Sequence, residues 1–196
     1  MPLFESYGII GTACRRGEDV KLGKVGYLRA VHLIEDILGD FHGELVSGGA
    51  AFMDHVAVLL YLKNPEKYSL TLHLPTNWDF SSASFAILES DKGNCGFTSN
   101  MYHEGFSRIM GFDSLVHIHD AISFGATVKV GKGFFDRNTA IAETSTNMIS
   151  ATFGRENILA DGGTADTMRK FLRKNSGNSH HIDLNTFRAY TPARTL

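Results

Sequence analysis

Glu44-Leu45-Val46-Ser47 runs directly into Gly48-Gly49-Ala50, and an apolar stretch from about Phe52 to Leu62 follows, stopped at Asn64-Pro65. A short apolar run ending in glycines reads as a buried strand. The longer run behind it reads as a helix, ended where proline disfavours helical geometry in the residue before it. Upstream, Tyr7-Gly8-Ile9-Ile10-Gly11-Thr12-Ala13 has the same strand-then-turn character. Downstream, Ser69-Leu70-Thr71-Leu72-His73-Leu74 forms a third strand that stops at Pro75. Between the first two strands lie a polar, basic loop from Cys14 to Lys24 and a helix. Val25, Leu28, Val31, His32, Ile34, Glu35 and Leu38 mark that helix at near-helical spacing, with Gly39 as its stop. Strand, helix, strand, helix, strand is the order of a right-handed parallel α/β unit. The expected fold class is α/β: a Rossmann-like, mostly parallel, doubly wound sheet with helices on both faces.

Regular order returns near the C-terminus. A helix is expected from about Arg137 to Thr146, a strand over Met148–Phe153, a helix from about Ala165 to Lys174, and a last strand around His181–Leu184. Asn175 to Ser179 reads as a polar turn, as does the pair His180-His181. The stretch from about Phe80 to Gly133 does not continue the alternation. A loop that long without structure of its own is improbable, so it is expected to hold helices, one of them over His103–Met110, as a lid-like insertion in a single domain spanning 1–196.

Composition bounds the function. At 196 residues the chain is long enough for a sizeable core. A formal net charge of -2 supplies no basic field to attract nucleic acid or an anionic membrane. No apolar stretch approaches the roughly 18 residues of a membrane-spanning helix, and Met1-Pro2-Leu3-Phe4-Glu5 lacks the features of a signal peptide. Cys14 and Cys95 form neither a metal-ligand pattern nor a disulfide framework, which fits a reducing cytoplasm.

Two glycine pairs sit between a strand and a helix start, in Ser47-Gly48-Gly49-Ala50 and Asp161-Gly162-Gly163-Thr164. Glycine allows a sharp turn and a close approach of ligand to backbone. The free N–H groups and positive dipole end of the following helix then favour phosphate or carboxylate, and Thr164 adds a hydroxyl. The alternative is that tight turns alone need the glycines. Gly11-Thr12 ends the first strand where open parallel sheets bind ligands. Arg15 and Arg16 follow as bidentate phosphate partners, or as a solvated loop. Asp54 suits a ribose hydroxyl or the start of its own helix. Trp78, the single tryptophan, suits a base or the core. His117-Ile118-His119-Asp120 has ligand chemistry but shares one face only on a strand, and no third His or Cys completes a metal pattern, so no metal or cofactor is expected. Met101, Tyr102, Phe106, Met110 and Phe112 pack the insertion or cover a base.

Gly11-Thr12-Ala13, Val46-Ser47-Gly48-Gly49-Ala50 with Asp54, Pro75-Thr76-Asn77-Trp78, Arg137-Asn138 with Ile141-Ala142, and Gly163-Thr164 with Asp166 occur in this order. The series resembles the SLOG superfamily of Rossmann-like proteins, especially its YspA-like branch, related to DNA-processing protein A and the Lonely Guy phosphoribohydrolases. The resemblance covers most of the chain outside 80–133. It implies a nucleotide-type ligand held by the two glycine turns and the Arg137-Asn138 helix start. It also implies a homo-oligomer, because such proteins often assemble. The Lonely Guy pattern carries a catalytic glutamate three residues after the Gly-Thr pair, where this chain has Thr167. Asp166 lies one residue earlier, turned roughly 100° around the helix.

The leading expectation is therefore a sensor or sequestering protein for a nucleotide-derived small molecule, such as an NAD-like, ADP-ribose-like or cyclic nucleotide ligand. The alternative is an N-glycosidic hydrolase or transferase using Asp166, Glu143 or Glu104 as its carboxylate. A third reading, single-stranded nucleic-acid binding, is opposed by the charge.

Overall fold

The computed structural model describes residues 5–15, 17–88, 94–160, 162–174 and 177–192. Its first half follows the expected alternation: β1 (Ser6–Gly11), α1 (Glu18–Leu38), β2 (Gly43–Ser47), α2 (His55–Lys63) and β3 (Tyr68–Leu74). Short strands β4 (Trp78–Asp79) and β5 (Ser84–Phe85) then form a separate antiparallel pair, followed by α3 (Cys95–Met110) and α4 (Ser114–Ser123). The chain continues through β6 (Thr127–Val130), α5 (Phe134–Thr144), β7 (Asn147–Thr152), α6 (Gly163–Lys174), β8 (Ser179–Asp183) and β9 (Arg188–Tyr190).

The main sheet has the order β6-β3-β2-β1-β7-β8-β9, parallel throughout except for the antiparallel β8–β9 pair. The chain builds outward from β1 to β6, then crosses back through α5 to start β7 on the other side of β1. The order reverses between β1 and β7. Consecutive strand residues serve opposite faces: Ile9, Leu45 and Ile149 join the core under α1 to α4, while Ile10, Val46 and Met148 join that under α5 and α6. Burial on both faces is why these strands read as continuous apolar runs.

Several expectations need correction. The polar loop after β1 is shorter than its composition suggests, because the chain turns helical at Glu18 and kinks at Gly23, which has φ 56° and ψ -179°. Helix α2 starts at His55 rather than Phe52, after a turn in which Phe52 adopts φ 62°. Described residues within 80–133 contribute to the core and to the main sheet. Phe106 and Ile118 are fully buried in the core on the α1 and α2 side, and β6 completes the main sheet. An exposed edge strand carries too little apolar signal to be seen as one. His117 and His119 lie on α4, not on a strand, so they face different directions; His117 stacks on Phe112 and His55, and His119 meets Phe80. His180-His181 belongs to β8, and His181 is fully buried with Nδ1 3.2 Å from the Ser150 hydroxyl.

Candidate functional site

A cleft of about 960 Å³ opens where the strand order reverses. Its floor is formed by the ends of β1 and β7, at Gly11 and Thr152. The turn after β2 and the starts of α5 and α6 form one wall, and α3 with the start of α1 forms the other. Side chains cannot fill this place, because the strands on either side feed helices to opposite faces and leave a crevice at their carboxyl ends. The Thr152 hydroxyl accepts from the backbone N–H groups of Gly154 and Ala160, each at 3.2 Å. That folds the loop after β7 back over the sheet and brings Gly162, Gly163 and Thr164 to the cleft.

The deepest charges are Asp54 and Arg137. Asp54 immediately precedes α2, yet it makes no side-chain cap bond there. Its carboxylate instead turns to the sheet and accepts from the Gly11 N–H at 2.9 Å, with the Gly48 and Ala50 N–H groups near enough to favour its charged form. The group thereby ties the ends of β1 and β2 together. Burial pushes its pKa up, against the opposing pull of Arg137 and the three N–H groups. Ser47, fully buried, braces the same corner by donating to the carbonyl oxygens of Ile9 and Asp54.

Arg137 enters from the first turn of α5. Its Nη2 donates to Asn138 Oδ1 at 3.1 Å, and its guanidinium lies over the Phe134 ring at 5.3 Å. Its Nε is buried and has no hydrogen-bond partner among the described residues. Among the described residues no carboxylate lies within 4.0 Å of it. Burial lowers its pKa, with Asp54 acting in the opposite sense. Asn138, itself buried, reaches the Gly163 carbonyl and the Asp166 carboxylate with Nδ2, each at 3.4 Å, so the two helix starts are joined. The first N–H groups of a helix lack intrahelical partners, and two such ends meet here beside a guanidinium. The arrangement suits an anionic group.

Gly11, Thr12, Arg15, Asp54, Arg137, Asn138, Gly162, Gly163, Thr164 and Asp166 all line this cleft. Other candidates lie elsewhere. Gly48 sits beneath the cleft, packed against Asp54 and Arg137. The Gly49 carbonyl faces inward, 3.0 Å from His103 Nε2. Trp78 packs edge-on against Phe85 in the β4–β5 pair. Glu104 is a surface residue paired with Arg108, and Glu143 is paired with Lys174 at the far end of α5. Of the three carboxylates expected for chemistry, Asp166 alone reaches the cleft, and its Oδ2 holds Lys170 at 2.7 Å. Arg16 and Asp161 lie outside the described residues.

Sequence reasoning missed Glu18, Phe134, Phe135 and Arg169, which also line the cleft. Arg169 follows Asp166 by three residues, a helical spacing that places both on one face. Tyr102 lines the α3 wall, with the Arg15 guanidinium 5.6 Å from its ring centre, and Phe135 is 76% exposed. Among the described residues no helix is long and apolar enough to cross a membrane.

No family model and no solved structure matches the chain. It is similar to "Uncharacterized protein R261" of Acanthamoeba polyphaga mimivirus, with 39% identity over 135 residues, or 68% of this chain and 68% of that protein.

Proposed function

We propose that this chain, which belongs to the family of the uncharacterized mimivirus protein, binds a nucleotide or nucleotide-derived anionic small molecule and acts as a sensor or sequestering protein. One observation carries the reading: the Arg137 guanidinium lines the cleft with no carboxylate within 4.0 Å among the described residues, and the starts of α5 and α6 flank it. A guanidinium without a carboxylate partner beside two helix starts suits a phosphate, which receives charged and backbone N–H groups together. The rings of Tyr102 and Phe135 add surface for a base. The SLOG-like order of motifs supports the same reading, since most of the residues it singles out meet in this cleft. With that resemblance comes the proposal of a homo-oligomer.

The position of Asp166 in the cleft keeps an N-glycosidic hydrolase as the second reading. Incubating the protein with nucleoside monophosphates, NAD, ADP-ribose and cyclic nucleotides distinguishes the two. A thermal shift with the ligand recovered intact is the expected outcome. Chromatographic release of free base, abolished by Asp166→Asn, makes the protein an enzyme. Absence of any shift and any turnover across the panel removes both.

A further inference from the structure

The cleft holds three carboxylates, and their surroundings differ in kind. Asp54 is almost fully buried, accepts from the Gly11 N–H and faces Arg137. Asp166 is neutralised by Lys170 and touched by Asn138. Glu18, in the first turn of α1, has no cation within 4.0 Å among the described residues. Its bonding is nevertheless specific. The Thr12 hydroxyl accepts from the Cys14 N–H at 2.9 Å and donates its own proton to Glu18 Oε2 at 2.5 Å. That fixes the carboxylate at the cleft wall and leaves Oε1 without a hydrogen-bond partner among the described residues.

An ionised carboxylate lining an anion-binding cleft repels the ligand unless the ligand brings donors to it. A carboxylate accepts only, through two oxygens with about four lone-pair sites. The group that carries phosphate at one end and neutral donors a few ångströms away is a ribose phosphate. In dinucleotide folds an acidic residue beyond the second strand commonly takes the ribose hydroxyls. Here the acidic residue beyond β2 is Asp54, which is buried and turned to the Gly11 N–H. The hydroxyl-binding role is left to a carboxylate on the other wall.

We propose that Glu18 receives the ribose hydroxyls of the bound ligand, so that the cleft selects ribonucleotide-type ligands over those lacking the 2′- and 3′-hydroxyls. The inference rests on the nucleotide-binding reading above and names the ligand class of that same site. Thr12 acts as a positioning residue, holding Glu18 in place through its hydroxyl.

The test is equilibrium binding of the four ribonucleoside 5′-monophosphates and their 2′,3′-dideoxy counterparts to the full chain and to Glu18→Ala and Glu18→Gln. Hydrogen bonds to a charged group predict that the wild type prefers the ribonucleotide by about tenfold or more. Glu18→Ala should bind both forms within about twofold of each other, at the dideoxy affinity of the wild type. Glu18→Gln keeps the shape and a neutral acceptor, so the preference should fall to a few-fold; it also serves should Glu18→Ala not fold. A preference that survives both substitutions overturns the proposal. So does a gain in affinity for both ligand classes alike in Glu18→Gln, which would make Glu18 a source of repulsion only. Equal, measurable binding of both forms by the wild type removes this inference and leaves the nucleotide site standing. No binding of any monophosphate by the wild type overturns the inference, while the parent reading falls only if NAD, ADP-ribose and cyclic nucleotides fail to bind as well.

Discussion

Asp54, Arg137 and Gly48 meet at one point, and the glycine is there because nothing larger fits. A Cβ on residue 48 would stand 2.7 Å from Asp54 Oδ2 and 3.0 Å from Arg137 Cδ and Nε. One of those atoms belongs to a carboxylate held by backbone N–H groups, so it has little room to give. Gly48→Ala is expected to destabilise the fold by about 1–3 kcal/mol, read from the urea midpoint, and to weaken ligand binding as Arg137 is displaced. Arg137→Lys keeps a positive charge opposite Asp54 but loses the planar fork and its Nε donor. It should lower affinity for a phosphate ligand by about 10- to 100-fold. An unchanged affinity would show that Arg137 is structural.

Helices α5 and α6 present their starts to the cleft, and what holds them there is ordinary packing. Met168 and Phe171 of α6 are buried with Ile141 and Ala142 of α5 against Ile10, Val46 and Met148 of the sheet. Phe171→Ala should cost about 3–5 kcal/mol and should weaken binding without touching the site, because the start of α6 loses its seat. Helix α1 makes a different demand. Gly23 has φ 56° and ψ -179°, a conformation essentially confined to glycine, and no atom outside the helix lies within 4 Å of where its Cβ would be. Gly23→Ala therefore tests backbone strain alone, with an expected loss of about 1–3 kcal/mol. A neutral outcome in the melt would mean that α1 straightens at little cost.

Across the whole molecule, burial of histidines on both sides of the sheet ties stability to pH. Burial lowers His103 to about 4, from an ordinary 6.5, and His73 and His181 fall to about 4 for the same leading reason. Above pH 6.5 these rings are neutral in both folded and unfolded chains, and the stabilisation is fully present. As pH falls from 6.5 toward 4 the unfolded chain takes up protons that the folded chain refuses, so stability declines. His103 alone contributes up to about 1.4 kcal/mol per pH unit in that window. Urea midpoints should drop steadily between pH 6.5 and 4. A flat profile there would mean that the buried rings accept protons without unfolding.

The alternation of strands and helices around Glu44–Ala50 was legible in the sequence, because strands buried on both faces must be apolar throughout and helices between them must carry a periodic apolar face. The same holds for the stretch of chain that feeds the cleft: Gly11-Thr12, Arg137-Asn138 and Gly163-Thr164 sit at strand ends and helix starts by their order alone. The partnership of those residues was not legible. Sequence distance does not report that Asp54 turns back to the Gly11 N–H, or that Glu18 is held by Thr12. Nor does an edge strand as polar as β6, or the burial of His181, leave a local signature. Local chemistry determined which elements form, since periodicity and turn residues act over a few positions. Tertiary structure decided which charges meet, since that depends on the order in which the strands lie side by side.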